Sequence, residues 1–275
     1  MSLNDVLGSP PGDKPTIYTD WQIDRQDLDT PSSFIRRYGH IPQYVKMGDA
    51  LPLFDKQGKL CVTTYKVLID TLVQRFLKRK VNTHGLPPKR ATNDDILIFT
   101  NQNESPELFE SILNQYSTPD PLSFTKDYIN PTTHEKGWLQ VFSAMMLRSA
   151  HRFHLHKEAW LGQVSGSRMW FLLPPNTPTK TLDYKPPACE YLYKREKLPD
   201  GAMMCIQNAG EVMYLPADWW HATCGLEEWN VGVGEQLGAP SMIAPVEVEE
   251  RTKEEWKETL EECAEVGAFA GGLAI

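Results

Sequence analysis

Two histidines with one residue between them, His154 and His156, lie in the stretch RFHLHKEAWLGQVSGSRMWFLLPP, residues 152–175. Side chains two apart on a strand leave the same face, so both imidazoles can aim at one point. A third histidine, His221, closes the stretch GEVMYLPADWWH, residues 210–221. There a strand over Val212–Leu215 meets a turn at Pro216-Ala217-Asp218 before the chain re-enters at His221. Neutral imidazole is a common ligand for divalent transition metals. The two stretches therefore read as two walls of one metal site in a small β-barrel, or as a hydrogen-bonded histidine network. A second ligand register exists, because His156-Lys157-Glu158 is itself a histidine–carboxylate pair. With His221 it would make a two-His, one-carboxylate set. Glu158 runs almost directly into the next strand, which favours the set His154, His156 and His221.

Other polar residues cluster around these motifs. Arg168 follows the Gly166 turn by two positions. Its planar fork suits a carboxylate, although an arginine after a turn is equally at home on the surface. Gln140, Ser143 and Arg148 lie on or just after the preceding strand, and the sequence does not fix which face they take. Trp160 is placed to shield a metal, and one of Trp219 and Trp220 to pack around the site. His151 has odd parity relative to His154 and is expected at a bend or on the surface. His40, His84 and His134 lie in predicted loops and receive no role.

The elements that must position these groups are largely strands. Apolar runs at 138–145, 160–164, 169–173, 203–206, 211–215 and 229–234 are separated by turn residues, the pattern of a sandwich or barrel rather than of βαβ units. Ahead of them the spacing predicts a helix to Arg37 capped by Ser32 or Ser33 and stopped by Gly39. It also predicts strands at 41–45, 60–64 and 96–100, an amphipathic helix over 65–80, and a helix from Ser105-Pro106 to about Gln115. Residues 1–15 read as an extended arm. A charged helix over 247–265 with Trp256, Leu260 and Cys263 on one face could cap the barrel or join two copies as a homodimer.

The 275 residues carry 28 basic and 36 acidic side chains, a formal charge of −8. That balance argues against a nucleic-acid or anionic-membrane partner, since both need a basic footprint. The basic run at 74–80 reads as a solvated helix face. Five cysteines, at 61, 189, 205, 224 and 263, include no CxxC pair. Reduced, buried thiols in a cytoplasmic protein are the simpler expectation. No run is apolar enough to span a bilayer, and the first residues lack signal-peptide character. An endoplasmic-reticulum lumen is the alternative should a leader have been removed.

The two histidine motifs resemble the paired motifs of cupins, an HxH before a glycine turn and G-x5-P-x-G-x2-H. Here the second reads Gly210, Pro216, Asp218, His221, with Asp218 where the middle glycine usually stands. GQVSGSRMWFLLPP, GEVMYLPADWWHATCGLEEWNVGVGEQLG and the upstream SSFIRRYGHIPQYVKMGD narrow the resemblance to JmjC domains, over roughly residues 30–238. The resemblance implies a mainly β fold with flanking helices, a double-stranded β-helix (jelly-roll) barrel. It implies an N-terminal arm at 1–29, a JmjC/cupin-like domain at 30–245 and a C-terminal helix and tail at 246–275. It further implies an Fe(II) oxygenase using 2-oxoglutarate, acting on a protein or a small molecule. Position by position, His154, His156 and His221 would hold the metal, and Arg168 would take the place of the lysine that grips the oxo-acid. His156 replaces the usual carboxylate, so Zn or Cu also becomes a candidate metal. Two further functions follow from that departure: a metal-binding barrel without oxygenase chemistry that regulates by interaction, and a three-histidine metalloenzyme independent of 2-oxoglutarate.

Overall fold

A computed structural model describes residues 12–25, 27–44, 46–47, 51–52, 61–70, 73, 97–112, 116–125, 129, 137–178, 188–193 and 197–238. Its centre is two facing antiparallel sheets. The strands of the larger sheet are β1 (Thr16–Tyr18), β6 (Leu97–Asn101), β7 (Trp138–Met145), β9 (Ala159–Ser165), β12 (Val212–Leu215) and β14 (Asn230–Leu237), in the spatial order β1-β12-β9-β14-β7-β6. The smaller sheet orders β11 (Met203–Asn208), β10 (Ser167–Leu173), β13 (Trp220–Gly225) and β8 (Ala150–His154). Two short pairs, β2 (Pro42–Tyr44) with β5 (Val62–Thr64) and β3 (Lys46–Met47) with β4 (Leu51–Pro52), stand apart. From β7 to β10, and again from β11 to β14, successive strands alternate between the two sheets, which makes the expected mainly β, jelly-roll barrel with flanking helices.

Burial explains why β7, β9 and β14 read as nearly unbroken apolar runs. The larger sheet is covered on both faces, as continuous hydrophobic strands require. Its inner face contributes Val141, Leu161, Met213 and Leu215 to the barrel interior, against Trp170, Leu172 and Trp219. Its outer face packs Phe142, Trp160, Val164, Val231 and Val233 under an N-terminal layer that includes Trp21, Phe34, Tyr65 and Phe109. The helix Pro31–Tyr38 belongs to that layer. Thr30, not Ser32 or Ser33, is its cap: the Ser33 amide donates to the Thr30 hydroxyl at 3.0 Å, and the Thr30 amide donates to the Ser33 hydroxyl. The serines fall inside the first turn because Pro31 already occupies a helical position, where its missing N–H costs nothing.

The helix Ala188–Tyr193, absent from the sequence expectations, covers the outer face of the smaller sheet against Phe171, Ala222 and Cys224. It is tied there by a disulfide between Cys189 and Cys224, whose Cα atoms are 5.0 Å apart. Cys61 is disulfide-bonded as well, and Cys205 is free. The expectation of reduced thiols is thus corrected. No local motif signals the pair, since its members are 35 residues apart and are brought together by sheet packing. The helix from residue 65 is described through 70, and that from Pro106 through Ile112. The basic run at 74–80, His84, His134 and the helix at 247–265 with its dimer contact lie outside the described residues.

Candidate metal and oxo-acid site

The β8–β13 pair sets the site. His154, at the end of β8, lies directly across from His221 near the start of β13, and His156 follows β8 by two residues. The Asp218 amide donates to the His156 carbonyl at 3.0 Å, pinning the loop of one motif to the turn of the other. Asp218 has φ 63, a left-handed conformation that explains why glycine is usual there and why Asp, which tolerates that region, can replace it. At Gly166 the φ is 69, and a Cβ would meet the Trp229 carbonyl oxygen at 2.3 Å, so the turn into β10 requires glycine.

His154, His156 and His221 each offer a ring nitrogen, and these atoms lie within 4.8 Å of one another. Ring centroids are 4.1 Å apart for His154–His221, 4.5 Å for His156–His221 and 5.6 Å for His154–His156. Each Nδ1–H donates to a backbone carbonyl: His154 to Arg152 at 2.8 Å, His156 to Lys157 at 2.6 Å, His221 to Trp219 at 2.9 Å. A carbonyl can only accept, so Nδ1 carries the proton and Nε2 keeps its lone pair. This is the tautomer a metal ligand needs, fixed by the hydrogen bond on the opposite nitrogen. Burial also holds the rings neutral. It lowers His154 to about 4 and pushes His156 down, and it drives His221 well below its ordinary value, helped by His154 and His156. Glu158 is not part of this group of ring nitrogens; its charge acts on Tyr214 instead.

His151 joins the same cavity, against the expectation of a bend or surface position. Its ring centroid is 4.0 Å from that of His154. The cause is a β-bulge. Opposite His154 stands His221 and opposite His151 stands Thr223, so three steps on β8 match two on β13. The extra residue reverses the alternation and brings both histidines to the inner face. Burial lowers His151 well below its usual value, with His154, His156 and Arg168 adding to the effect.

Arg168 enters from β10, two positions before Trp170 and flanked by Gln207 and Gly225 on the adjoining strands. It is only 2% exposed, so it is not a surface arginine. Its Nε and one Nη have no hydrogen-bond partner, and burial lowers its pKa to about 9. Gly232 makes room for it: a Cβ there would meet Arg168 Nη2 at 3.0 Å. A buried guanidinium left unpaired is costly, and such a group facing a cavity is a seat for an anion.

The cavity measures about 300 Å³ and brings the four histidines, Arg168 and Ser143 together between walls that include Phe99, Leu155, Trp160, Trp170 and Leu215. Of the three uncertain residues, Ser143 lines it. Gln140 faces the other way and donates to the Tyr116 hydroxyl at 3.5 Å, while Arg148 lies in the turn after β7 at φ 65. Trp160 does not shield the site as expected: its indole turns to the outer face of the sheet, against Trp21 and Tyr116, where its Nε1–H donates to the buried Glu235 carboxylate at 3.2 Å. Trp219 packs in the barrel core, its Nε1–H on the Asp13 carbonyl. His40 is far out on the surface, paired with Glu107.

Comparison with known proteins agrees with the sequence resemblance. No protein-family model matches the chain. The chain is 36% identical to "JmjC domain-containing protein 8" of Homo sapiens over 80 residues, 27% of this chain and 29% of that protein. It is 28% identical to the "Bifunctional arginine demethylase and lysyl-hydroxylase psr-1" of Caenorhabditis briggsae over 123 residues, 37% of this chain and 30% of that one. The matched stretch thus spans under a third of the length of these curated relatives. Among solved structures, the ribosomal oxygenase YcfD from Escherichia coli, in complex with cobalt and 2-oxoglutarate, is similar at 17% identity and a TM-score of 0.26, covering 38% of this chain and 24% of that chain. In its sequence and in its jelly-roll architecture the chain is similar to the JmjC-type proteins of the cupin superfamily, JmjC domain-containing protein 8 among them.

Proposed function

We propose that this protein is a metal-dependent oxygenase of JmjC type, with Fe(II) as metal and 2-oxoglutarate as cosubstrate. The observation that carries the reading is the pairing, in one cavity, of three imidazoles with free Nε2 atoms and a buried guanidinium without a partner. The residues fit both groups. His154, His156 and His221 would hold the metal, and Arg168 would hold the far carboxylate of the acid in the space that Gly232 leaves. Bound there, iron and the oxo-acid supply oxidising power toward a C–H bond. The chain's own contribution is to keep the imidazoles neutral and aimed, to neutralise the acid with Arg168 and to hold water out with Trp170 and Leu215.

The test is metal analysis of protein purified without chelators, with 2-oxoglutarate binding measured under Fe(II) without oxygen. Stoichiometric metal and saturable acid binding, both lost in His221→Ala, are the expected result. Neither metal nor acid bound would leave a barrel that acts through protein partners. The absence of a carboxylate among the three ligands favours one second reading, a three-imidazole metalloenzyme independent of 2-oxoglutarate. Metal bound with no acid affinity, yet with oxygen consumed, would select it.

The disulfides at Cys189–Cys224 and at Cys61 support an oxidising compartment such as the endoplasmic-reticulum lumen rather than the cytoplasm. No helix among the described residues is long and apolar enough to cross a membrane.

A further inference from the structure

The walls of the cavity differ from its floor in charge. Among the described residues that line it, the only formally charged side chain is Arg168, and no carboxylate is present. The nearest acid on the larger sheet, Glu235, sits behind Trp160 on the outer face, where it accepts from Trp160 Nε1–H and from the Thr125 hydroxyl. Its neighbour Gln236, of opposite parity, is the one that reaches the cavity.

Resting on the oxygenase reading, the charges add simply. A divalent metal on three neutral ligands keeps +2, Arg168 adds +1, and a dicarboxylate cosubstrate removes two. The filled site keeps a net charge of +1. Among the described residues, the remaining surface is formed by the apolar and aromatic Phe99, Leu155, Trp170 and Leu215 with the uncharged Ser143, Thr223 and Gln236, and offers no counter-charge. At distances of several ångströms inside a protein, like charges repel strongly enough to weaken binding by about tenfold or more. We infer that the group this site accepts for reaction is an uncharged, mainly apolar side chain or its small-molecule equivalent, and that it excludes ammonium and guanidinium groups. The relative from Caenorhabditis briggsae is named for arginine and lysine; this cavity is built against both.

The probe is the full chain loaded anaerobically with Co(II) and 2-oxoglutarate, read by the visible absorption of the metal. Three side-chain mimics are titrated: 1-pentanol, pentylammonium and butylguanidinium. The alcohol should perturb the spectrum with a half-saturation about tenfold lower than either cation. Leu155→Glu places a carboxylate at the 40%-exposed rim position and should move the preference toward the cations. Equal or tighter cation binding in the unmodified protein, or no response to the alcohol, overturns the inference while the oxygenase reading stands. Failure of Co(II) to colour the protein, or of 2-oxoglutarate to alter that colour, overturns both.

Discussion

Replacing Arg168 with methionine should stabilise the ligand-free protein and abolish its response to 2-oxoglutarate. The side chain is 2% exposed, with Nε and Nη2 unpartnered, and burial alone lowers its pKa from 12.5 to about 9. At 1.36 kcal/mol per unit, keeping that charge in the fold costs ~5 kcal/mol. Methionine has comparable reach, needs no partner and adapts to irregular space. It leaves some of the guanidinium's volume unfilled, a loss of ~1–2 kcal/mol. The net gain expected is ~3 kcal/mol. With the acid present the order narrows or reverses, because a ligand at a hundred times its Kd adds about 2.7 kcal/mol to the protein that binds it and nothing to one that does not. Urea unfolding of the Zn-loaded protein at neutral pH, with and without 2-oxoglutarate, reads both effects. A variant less stable than the parent without ligand would show that Arg168 is already compensated. A variant whose midpoint still rises with the acid would remove Arg168 as its anchor.

Gly232→Ala adds a methyl that meets Arg168 Nη2 and the Leu161 side chain at 3.0 Å; acid binding measured by calorimetry should weaken several-fold with the metal retained. Cys224→Ala, read by chemical unfolding against the oxidised parent, should cost roughly 4 kcal/mol, the chain-entropy value for a loop of this size, because it opens a 35-residue closure. Equal midpoints would mean that the helix Ala188–Tyr193 is held by packing alone. Acid should begin to destabilise the metal-free protein at about pH 6.5, before its carboxylates start to titrate. His154 is lowered from 6.5 to about 4, so the unfolded chain takes up a proton that the folded one refuses. The stability is fully present above pH 6.5 and is lost as pH falls through about 4. A denaturation midpoint flat across that window would contradict the burial of the ring.

The strands were legible because their signal is local. An apolar run bounded by turn residues becomes a buried strand wherever it sits, and the expected runs match β7, β9, β10, β12 and β14 closely. The grouping of His154, His156 and His221 was legible in two motifs of strand-and-turn spacing, and the structure brings their ring nitrogens within 4.8 Å of one another. His151 escaped because the same alternation rule fails at a bulge, and a bulge is a property of the pairing of β8 with β13. Ser143 and Gln140 could not be told apart, because β7 is buried on both faces and leaves no polar side to mark the outside.

The sequence alone determined which segments form strands, that His154, His156 and His221 belong to two matched motifs, and that Arg168 follows a glycine turn. Each rests on chain neighbours and on backbone geometry that repeats every two residues. Only the tertiary structure decided that Arg168 is buried without a partner, that Cys189 meets Cys224, that a fourth imidazole enters the cavity and that no carboxylate lines it among the described residues. These depend on which faces are pressed together when the two sheets close. Burial, pairing and net charge inside a cavity are sums over residues far apart in the chain.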